Sequence, residues 1–359
     1  MRLRVHSCAI VRNLITFVLL FAVVGCKPSP KSIGEEAVDV SPFEPTNDNS
    51  DWPDAIRLSN GAVKVQIVPS IGRVMRFGFA DGPNVLWTNP QLSRADVAST
   101  QPARKNWGGD RAWPWPQDEW PLRLGRTWPP PTECDQAPMA ARLVGGLGAR
   151  LESEAITGYG VKLVREIQLD ARVPRVTFVS RFELASADLP PAELAAWQIT
   201  QVPFPTGATI YAKLTAGRRI IGLPPSPWDN AHAVAPGVVM IDPPPLAAGK
   251  IGVDADALAW RAGDTLLIAR SPTAGAAANR YRTGERAQVY VQAAPPQHTP
   301  QQKKPAPDAP IRFAELEFTS PRKDLAKGQV PELKVTWELR RIDGSKWKDA
   351  DVAKIFNGG

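Results

Sequence analysis

Cysteine and histidine are scarce in this chain, with 3 of each among 359 residues. No apolar run is long enough to cross a bilayer: a spanning helix needs about 20 apolar residues, and the longest apolar stretch, 14–24, has eleven. There is no CxxC pair, no Cys/His spacing of a zinc site, no GxxxxGK[ST] loop and no internal repeat. Structural zinc and nucleoside-triphosphate chemistry therefore lack a motif. With 22% charged and 43% hydrophobic residues, the chain is neither disordered throughout nor a bundle of membrane helices. What is plentiful is tryptophan, proline and glycine, at 12, 37 and 27 residues.

The first 25 residues read as an export signal. Arg2, Arg4 and Arg12 precede the apolar run, and the small residue Gly25 stands at a cut site. The ending Val23-Val24-Gly25-Cys26 resembles a bacterial lipobox, which implies that Cys26 is acylated and becomes the mature N-terminus. Position 27 is Lys rather than Asp, and resemblance to the enteric sorting rule then favours the outer membrane. Residues 26–50 combine Pro28, Pro30, Pro42 and Pro45 with five acids and few large apolar residues, the composition of a flexible tether. The protein is thus expected in the bacterial cell envelope, held to a membrane by lipid alone. Removing a signal with three arginines and no acid lowers the net charge from +7 to +4, too little for a nucleic-acid groove. Cys8 leaves with the signal and Cys26 carries lipid, so Cys134 stands alone: no internal disulfide forms, and an inert, buried thiol is expected.

From residue 51 onward the text turns to strands. Val63, Val65 and Ile67 alternate with Lys64 and Gln66, and Val176, Phe178, Phe182 and Leu184 with Thr177, Arg181 and Glu183. Further strands are expected at 74–79, 142–156, 161–169, 209–214, 238–241, 258–261, 265–270, 288–292, 312–318 and 333–341. No segment offers three turns of amphipathic helix. The pattern predicts an all-β protein, one large antiparallel β-sandwich over residues 51–359, with the Pro/Gln-rich stretch 294–310 as a surface loop.

Residues 107–128 hold five of the 12 tryptophans: Trp107, Trp113, Trp115, Trp120 and Trp128. Prolines 114, 116 and 121 exclude a regular helix and argue against a central strand, so a stiff irregular loop is expected. Indole rings on such a loop suit the apolar face of a pyranose, while Asp110, Arg111 and Gln117 read its hydroxyls. The same rings also suit a small core beneath a long loop.

Leu58-Ser59-Asn60-Gly61, the run 63–69, Ile71-Gly72-Arg73, Asn84-Val85-Leu86-Trp87, the loop 106–120, Ala196-Trp197-Gln198-Ile199-Thr200-Gln201 and Ala314-Glu315-Leu316-Glu317-Phe318-Thr319-Ser320-Pro321 together resemble an uncharacterised bacterial domain family of the galactose-mutarotase-like superfamily. The resemblance implies a large antiparallel supersandwich with a concave carbohydrate-binding face. Aldose mutarotases use a histidine pair with an acid. Here the mature chain has only His232 and His298, and neither matches the mutarotase histidine motifs. Glu315 and Glu317, two apart on a strand, share one face opposite Leu316; that face is plain solvent on one sheet of the superfamily and the sugar site on the other.

Two readings result, with a third behind them. One is a lipoprotein that binds a carbohydrate or envelope polysaccharide through Arg73, Trp107, Asp110, Arg111, Trp113, Trp115, Gln117 and Trp120. The other is a sugar epimerase or glycan-cleaving enzyme using Glu315, Glu317 and His232. The third is a structural envelope lipoprotein without a ligand. No cofactor or metal is implied, calcium is left open, and oligomeric state is not read.

Overall fold

Along residues 175–184 half-exposed and buried positions alternate, with Val176, Phe178, Ser180 and Phe182 inward. This period of two is what a strand with one wet face requires. It recurs throughout the computed structural model, which describes residues 52–99, 104–185, 193–215, 220–224, 226–244, 248–272, 281, 284–292 and 312–358. The signal, Cys26, the tether, His298 and the loop 294–310 lie outside the described residues.

Two ten-stranded antiparallel sheets face each other. The first runs β1 (Ile56–Ser59), β2 (Val63–Val68), β3 (Arg73–Phe79), β4 (Asp110–Trp115), β9 (Glu193–Pro203), β18 (Phe313–Thr319), β17 (Ala287–Gln292), β14 (Ala248–Val253) and β11 (Ile220–Gly222), with β19 (Lys323–Asp324) against β9. The second runs β12 (Ala231–Ala235), β13 (Val238–Ile241), β10 (Thr209–Leu214), β15 (Ala255–Ala262), β16 (Thr265–Arg270), β20 (Glu332–Arg341), β8 (Arg175–Leu184), β7 (Val161–Leu169), β6 (Gly148–Ile156) and β5 (Ala140–Val144). Between them lies one continuous core. Val65, Val74, Ala112, Leu316 and Phe318 of the first sheet meet Leu163, Ile167, Phe178, Val335 and Trp337 of the second.

The outer faces differ. On the second sheet, Arg150, Lys162 and Arg181 interleave with Glu152, Glu166 and Glu183 in a partly exposed ladder of ion pairs. Elsewhere on that sheet the short C-terminal helix Asp351–Asn357 seats Val352 and Phe356 on Tyr211, Ala259 and Ile268. The outer face of the first sheet is instead buried over much of its width, and its polar residues lie beneath the surface.

Two expectations are corrected. The stretch 142–156 is not one strand: it turns after Val144 and returns as β6, with Val144 paired to Gly148. The tryptophan segment is not an irregular loop, because residues 110–115 form β4, paired with β9 over its whole length. The prolines permit this because β3 meets β4 only at Val74 and Asp110. Pro114 gives its carbonyl to Trp120 Nε1 at 3.2 Å rather than to β9. Its missing N–H therefore also faces away from β9, where no strand needs a donor. The entry to β4 depends on Gly108 and Gly109, at φ of 87° and 68°. A Cβ on the first would lie 2.3 Å from the Trp87 carbonyl oxygen, and one on the second 2.3 Å from that of Val74.

Candidate ligand face

Strand alternation sorts the residues of β4. Asp110 and Ala112 face the inter-sheet core, while Arg111, Trp113 and Trp115 face outward. Antiparallel neighbours share a face, so register extends the outward set across the sheet. Arg111 is level with Ile199, Glu317 and Gln288. Gln201 is level with Glu315, Tyr290 and Lys250. Trp113 is level with Trp197.

Asp110 is thereby removed from the ligand-facing set. It is fully buried and accepts hydrogen bonds from Arg165 of the opposite sheet, from Gln198 Nε2 at 3.0 Å and from Thr200 Oγ1 at 2.8 Å. This is an ion pair threaded through the core, and Asp110 and Glu315 point to opposite sides of the sheet.

On the outward face the two glutamates have different partners. Glu315 Oε1 accepts from Arg111 Nη2 and Gln201 Nε2, both at 2.8 Å, and its side chain is 14% exposed. Glu317 is fully buried, and its Oε2 accepts from Trp197 Nε1 at 2.8 Å and Lys250 Nζ at 2.9 Å. Burial pushes the Glu317 carboxyl above its ordinary value; Lys250 opposes this, and the charge of Glu315 adds to it. Burial likewise pushes the Tyr290 hydroxyl up to about 12, helped by Glu315 and Glu317.

Aromatic rings stand at both ends of this polar strip. At one end Trp115 meets Trp197 edge-on at 4.9 Å, and Lys250 Nζ lies 4.7 Å from the Trp197 ring centre. At the other, Tyr290 lies 6.1 Å from Phe313, which stacks on Trp87 at 4.6 Å. Between them are buried polar atoms without a hydrogen-bond partner: Arg111 Nη1, Gln201 Oε1, Gln288 Oε1 and Glu317 Oε1, with Trp115 Nε1 at the margin.

Beside the strip, a single helical turn (Thr132–Asp135) brings a buried carboxylate to three guanidiniums. Asp135 Oδ1 accepts from Arg73 Nη2 at 2.6 Å and Trp113 Nε1 at 3.1 Å, its Oδ2 accepts from Arg104 Nε at 3.1 Å, and Arg111 Nε lies 3.8 Å away. Burial alone would raise the Asp135 carboxyl, but Arg104, Arg73 and Arg111 together hold it below the usual range. Burial pushes the Arg73 guanidinium down to about 9 against the pull of Asp135, with Arg111 and Arg104 pushing the same way. Neighbouring Cys134 is buried, and that burial, with Asp135 and Glu133, pushes its thiol well up, the setting of an unreactive sulfur.

The remaining expected residues scatter. Trp107 packs with Trp52, Val68, Ile71 and Met75 in a separate small cluster. Trp120 is fully buried in the main core. Gln117 is half-buried in the turn after β4, and Arg73 is sealed by Asp135 and the Gly108 carbonyl. His232 belongs to β12 at the edge of the other sheet, half-exposed and 2.9 Å from Asp242. It does not meet Glu315 or Glu317, because the two lie in different sheets. No group of acids, histidines and cysteines suited to a metal occurs among the described residues, and no described helix is long and apolar enough to cross a membrane. A groove of about 670 Å³ lined by Trp52, Asp54, Ser70, Arg94 and Val97 contains none of the expected residues.

Sequence reasoning missed Arg104, Asp135, Gln201, Lys250 and Gln288. Gln201 had a signal, since residues 197, 199 and 201 repeat with period two. Lys250 had little: two glycines in 248–253 weaken the strand pattern around it.

No protein-family model matches the sequence, and no curated protein does. Solved structures match by shape. A candidate aldose 1-epimerase from Escherichia coli K12 superposes with a TM-score of 0.50 and 11% identity, covering 80% of this chain and 99% of its own. A candidate mutarotase from Salmonella typhimurium gives a TM-score of 0.52 and 10% identity, covering 80% of this chain and 90% of its own. The fold is therefore the galactose-mutarotase-like β-sandwich.

Proposed function

We propose that this protein is an envelope-anchored lipoprotein that binds carbohydrate on the outward face of its first sheet. The observation that carries the reading is the convergence, between two aromatic groups, of four buried polar side chains with unpartnered atoms: Arg111, Gln201, Gln288 and Glu317. Leaving such atoms unpaired costs about 1–3 kcal/mol each, and a ligand rich in hydroxyls supplies the donors and acceptors they lack. Trp115, half-buried at the margin of the strip, is the ring for a sugar's apolar face. The test is a tryptophan-fluorescence titration of the full chain in detergent against mono- and oligosaccharides. A saturable shift, weakened at least about tenfold (1.4 kcal/mol) in Trp115→Ala, is expected. Equal affinity of the variant would remove Trp115 from the site, and no response to any sugar would favour a structural envelope role.

An enzymatic alternative draws on one observation, the contrast between the ion-paired Glu315 and the buried Glu317, since two acids in different environments suit general acid and base roles. Among the described residues no histidine joins them on this face, so the usual acid and imidazole pairing has no candidate there. Polarimetric following of anomer interconversion tests it: turnover abolished in Glu315→Gln would support catalysis, and none in the wild-type chain would reject it.

A further inference from the structure

The charges around Asp135 do not balance. Arg73, Arg104 and Arg111 face Asp135 and, through Arg111, Glu315. Lys250 and Glu317 form their own pair beside them. Three guanidiniums therefore share two carboxylates on a face where Arg73 and Arg111 are 0% and 2% exposed. A buried cation without a full counter-charge is costly, and the surplus is not spread evenly. Arg73 is spent on Asp135 and on the Gly108 carbonyl. Arg111 gives Nη2 to Glu315 and leaves Nη1 buried and unpaired. Arg104 gives Nε to Asp135, and no hydrogen bond from its two Nη groups is seen among the described residues.

These two arginines are also the ones braced by aromatic rings. The Arg111 guanidinium lies 4.5 Å from the Trp113 ring centre; that of Arg104 lies 5.4 Å from Trp113 and 4.6 Å from Trp128. Trp128 is 49% exposed, one of few large apolar side chains in contact with solvent. Stacking fixes the plane of a guanidinium without using its in-plane N–H groups, which is how arginine keeps a planar fork for a carboxylate. Trp128 has Arg104 over its ring at 4.6 Å and Trp120 stacked on it at 6.3 Å, so it is the exposed edge of the indole that adjoins this fork and offers an apolar contact to a ring that carries the acid.

We infer that the ligand contains an acidic sugar, with the carboxylate of that unit held by Arg104 and Arg111 and its ring against the exposed edge of Trp128. This deepens the carbohydrate reading and rests on it. Glucuronate- and galacturonate-containing oligosaccharides should bind at least about tenfold (1.4 kcal/mol) more tightly than the matching glucose and galactose oligomers at low salt. The margin should narrow as salt screens the partly exposed Arg104.

The experiment titrates the full chain in detergent with these uronate and neutral oligomers, and with the corresponding sugar phosphates, for wild type, Arg104→Gln and Trp128→Ala. Arg104→Gln should collapse the preference for acid over neutral, and Trp128→Ala should weaken both forms and narrow the preference less than Arg104→Gln does, because Trp113 still braces Arg104. Thermal midpoints for each variant separate lost binding from lost folding, and Asp135 keeps Arg73 and Trp113 in either case. Equal binding of acidic and neutral sugars by the wild type would overturn the inference and leave the carbohydrate reading standing. An unchanged preference in a folded Arg104→Gln variant would overturn it as well. Tighter binding of phosphates than of uronates would overturn the assignment of the fork to a carboxylate. Binding of no sugar would overturn both readings together.

Discussion

The ion pair between Asp110 and Arg165 crosses the sandwich, and replacing Asp110 by Ala should destabilise the protein without touching the outward face of the first sheet. Facing sheets stand about 10 Å apart, a gap an arginine can bridge, and both residues are at most 1% exposed. Removing one member of a buried pair leaves an uncompensated charge and costs about 3–5 kcal/mol. Here the loss also strips Gln198 Nε2 and Thr200 Oγ1 of their acceptor, at about 1 kcal/mol each if water does not replace it. These contributions overlap, so about 4 kcal/mol is a fair total. For a domain of this size, where about 2–4 °C accompany each kcal/mol, the midpoint should fall by roughly 10 °C. The decisive control is Asp110→Ala combined with Arg165→Met, since an apolar replacement of a whole buried pair is often near neutral. Denaturant unfolding of the four members of this cycle gives the coupling energy. Two results would refute the reasoning: Asp110→Ala within about 0.5 kcal/mol of wild type, or a double variant no more stable than Asp110→Ala alone.

Other expectations follow from the same geometry. Asp135 is held below its unfolded value by Arg104, Arg73 and Arg111, so it adds stability above the unfolded carboxylate pKa of about 3.9 and loses that contribution as pH falls through the lower folded value. The stability gap between wild type and Asp135→Asn should be wide at pH 6 and close at the acid end; a gap constant with pH would contradict this. Gly109→Ala places a Cβ 2.3 Å from the Val74 carbonyl oxygen at a φ of 68°, and should cost at least about 2 kcal/mol, measured as a lower denaturant midpoint. Cys26→Ala should abolish incorporation of labelled palmitate and release the protein from the membrane fraction, and unchanged labelling would exclude the lipobox.

Much of the sandwich was legible because its strands obey one period. In 175–183 every second residue is buried, and the pattern ends at the exposed Leu184. The reading failed where proline carried opposite meanings. Pro114 argues against a central strand only if its nitrogen must donate, and whether it must depends on a neighbour that no local pattern reveals. β3 leaves β4 after a single pairing, so Pro114 is tolerated. The candidate face was half legible for a related reason. Taken as a loop, 106–121 pools its tryptophans and charges in one place; taken as a strand, the same residues divide between two faces. The guanidinium cluster was not legible at all, because Arg73, Arg104, Arg111 and Asp135 come from four segments joined only by packing.

That division bears on what the protein does. The alternation that sends Asp110 inward and Arg111 outward assigns one charge pair to stability and the other to the outer face. Arg165 and Asp110 are mutually satisfied, and Gln198 and Thr200 complete the carboxylate. Across the sheet Arg111, Gln201, Gln288 and Glu317 are equally deep, yet each keeps an atom unpaired. In the core network Gln198 Oε1 alone lacks a partner, whereas one strand spacing away four neighbouring side chains of the outer face each leave an atom open. The open network lies beside the exposed Trp128 and the partly exposed Arg104 and Glu315. Depth of unpaired groups together with access at the rim is the arrangement of a face completed from outside, and the aromatic rings at its margins favour a ligand with both hydroxyls and an apolar ring face.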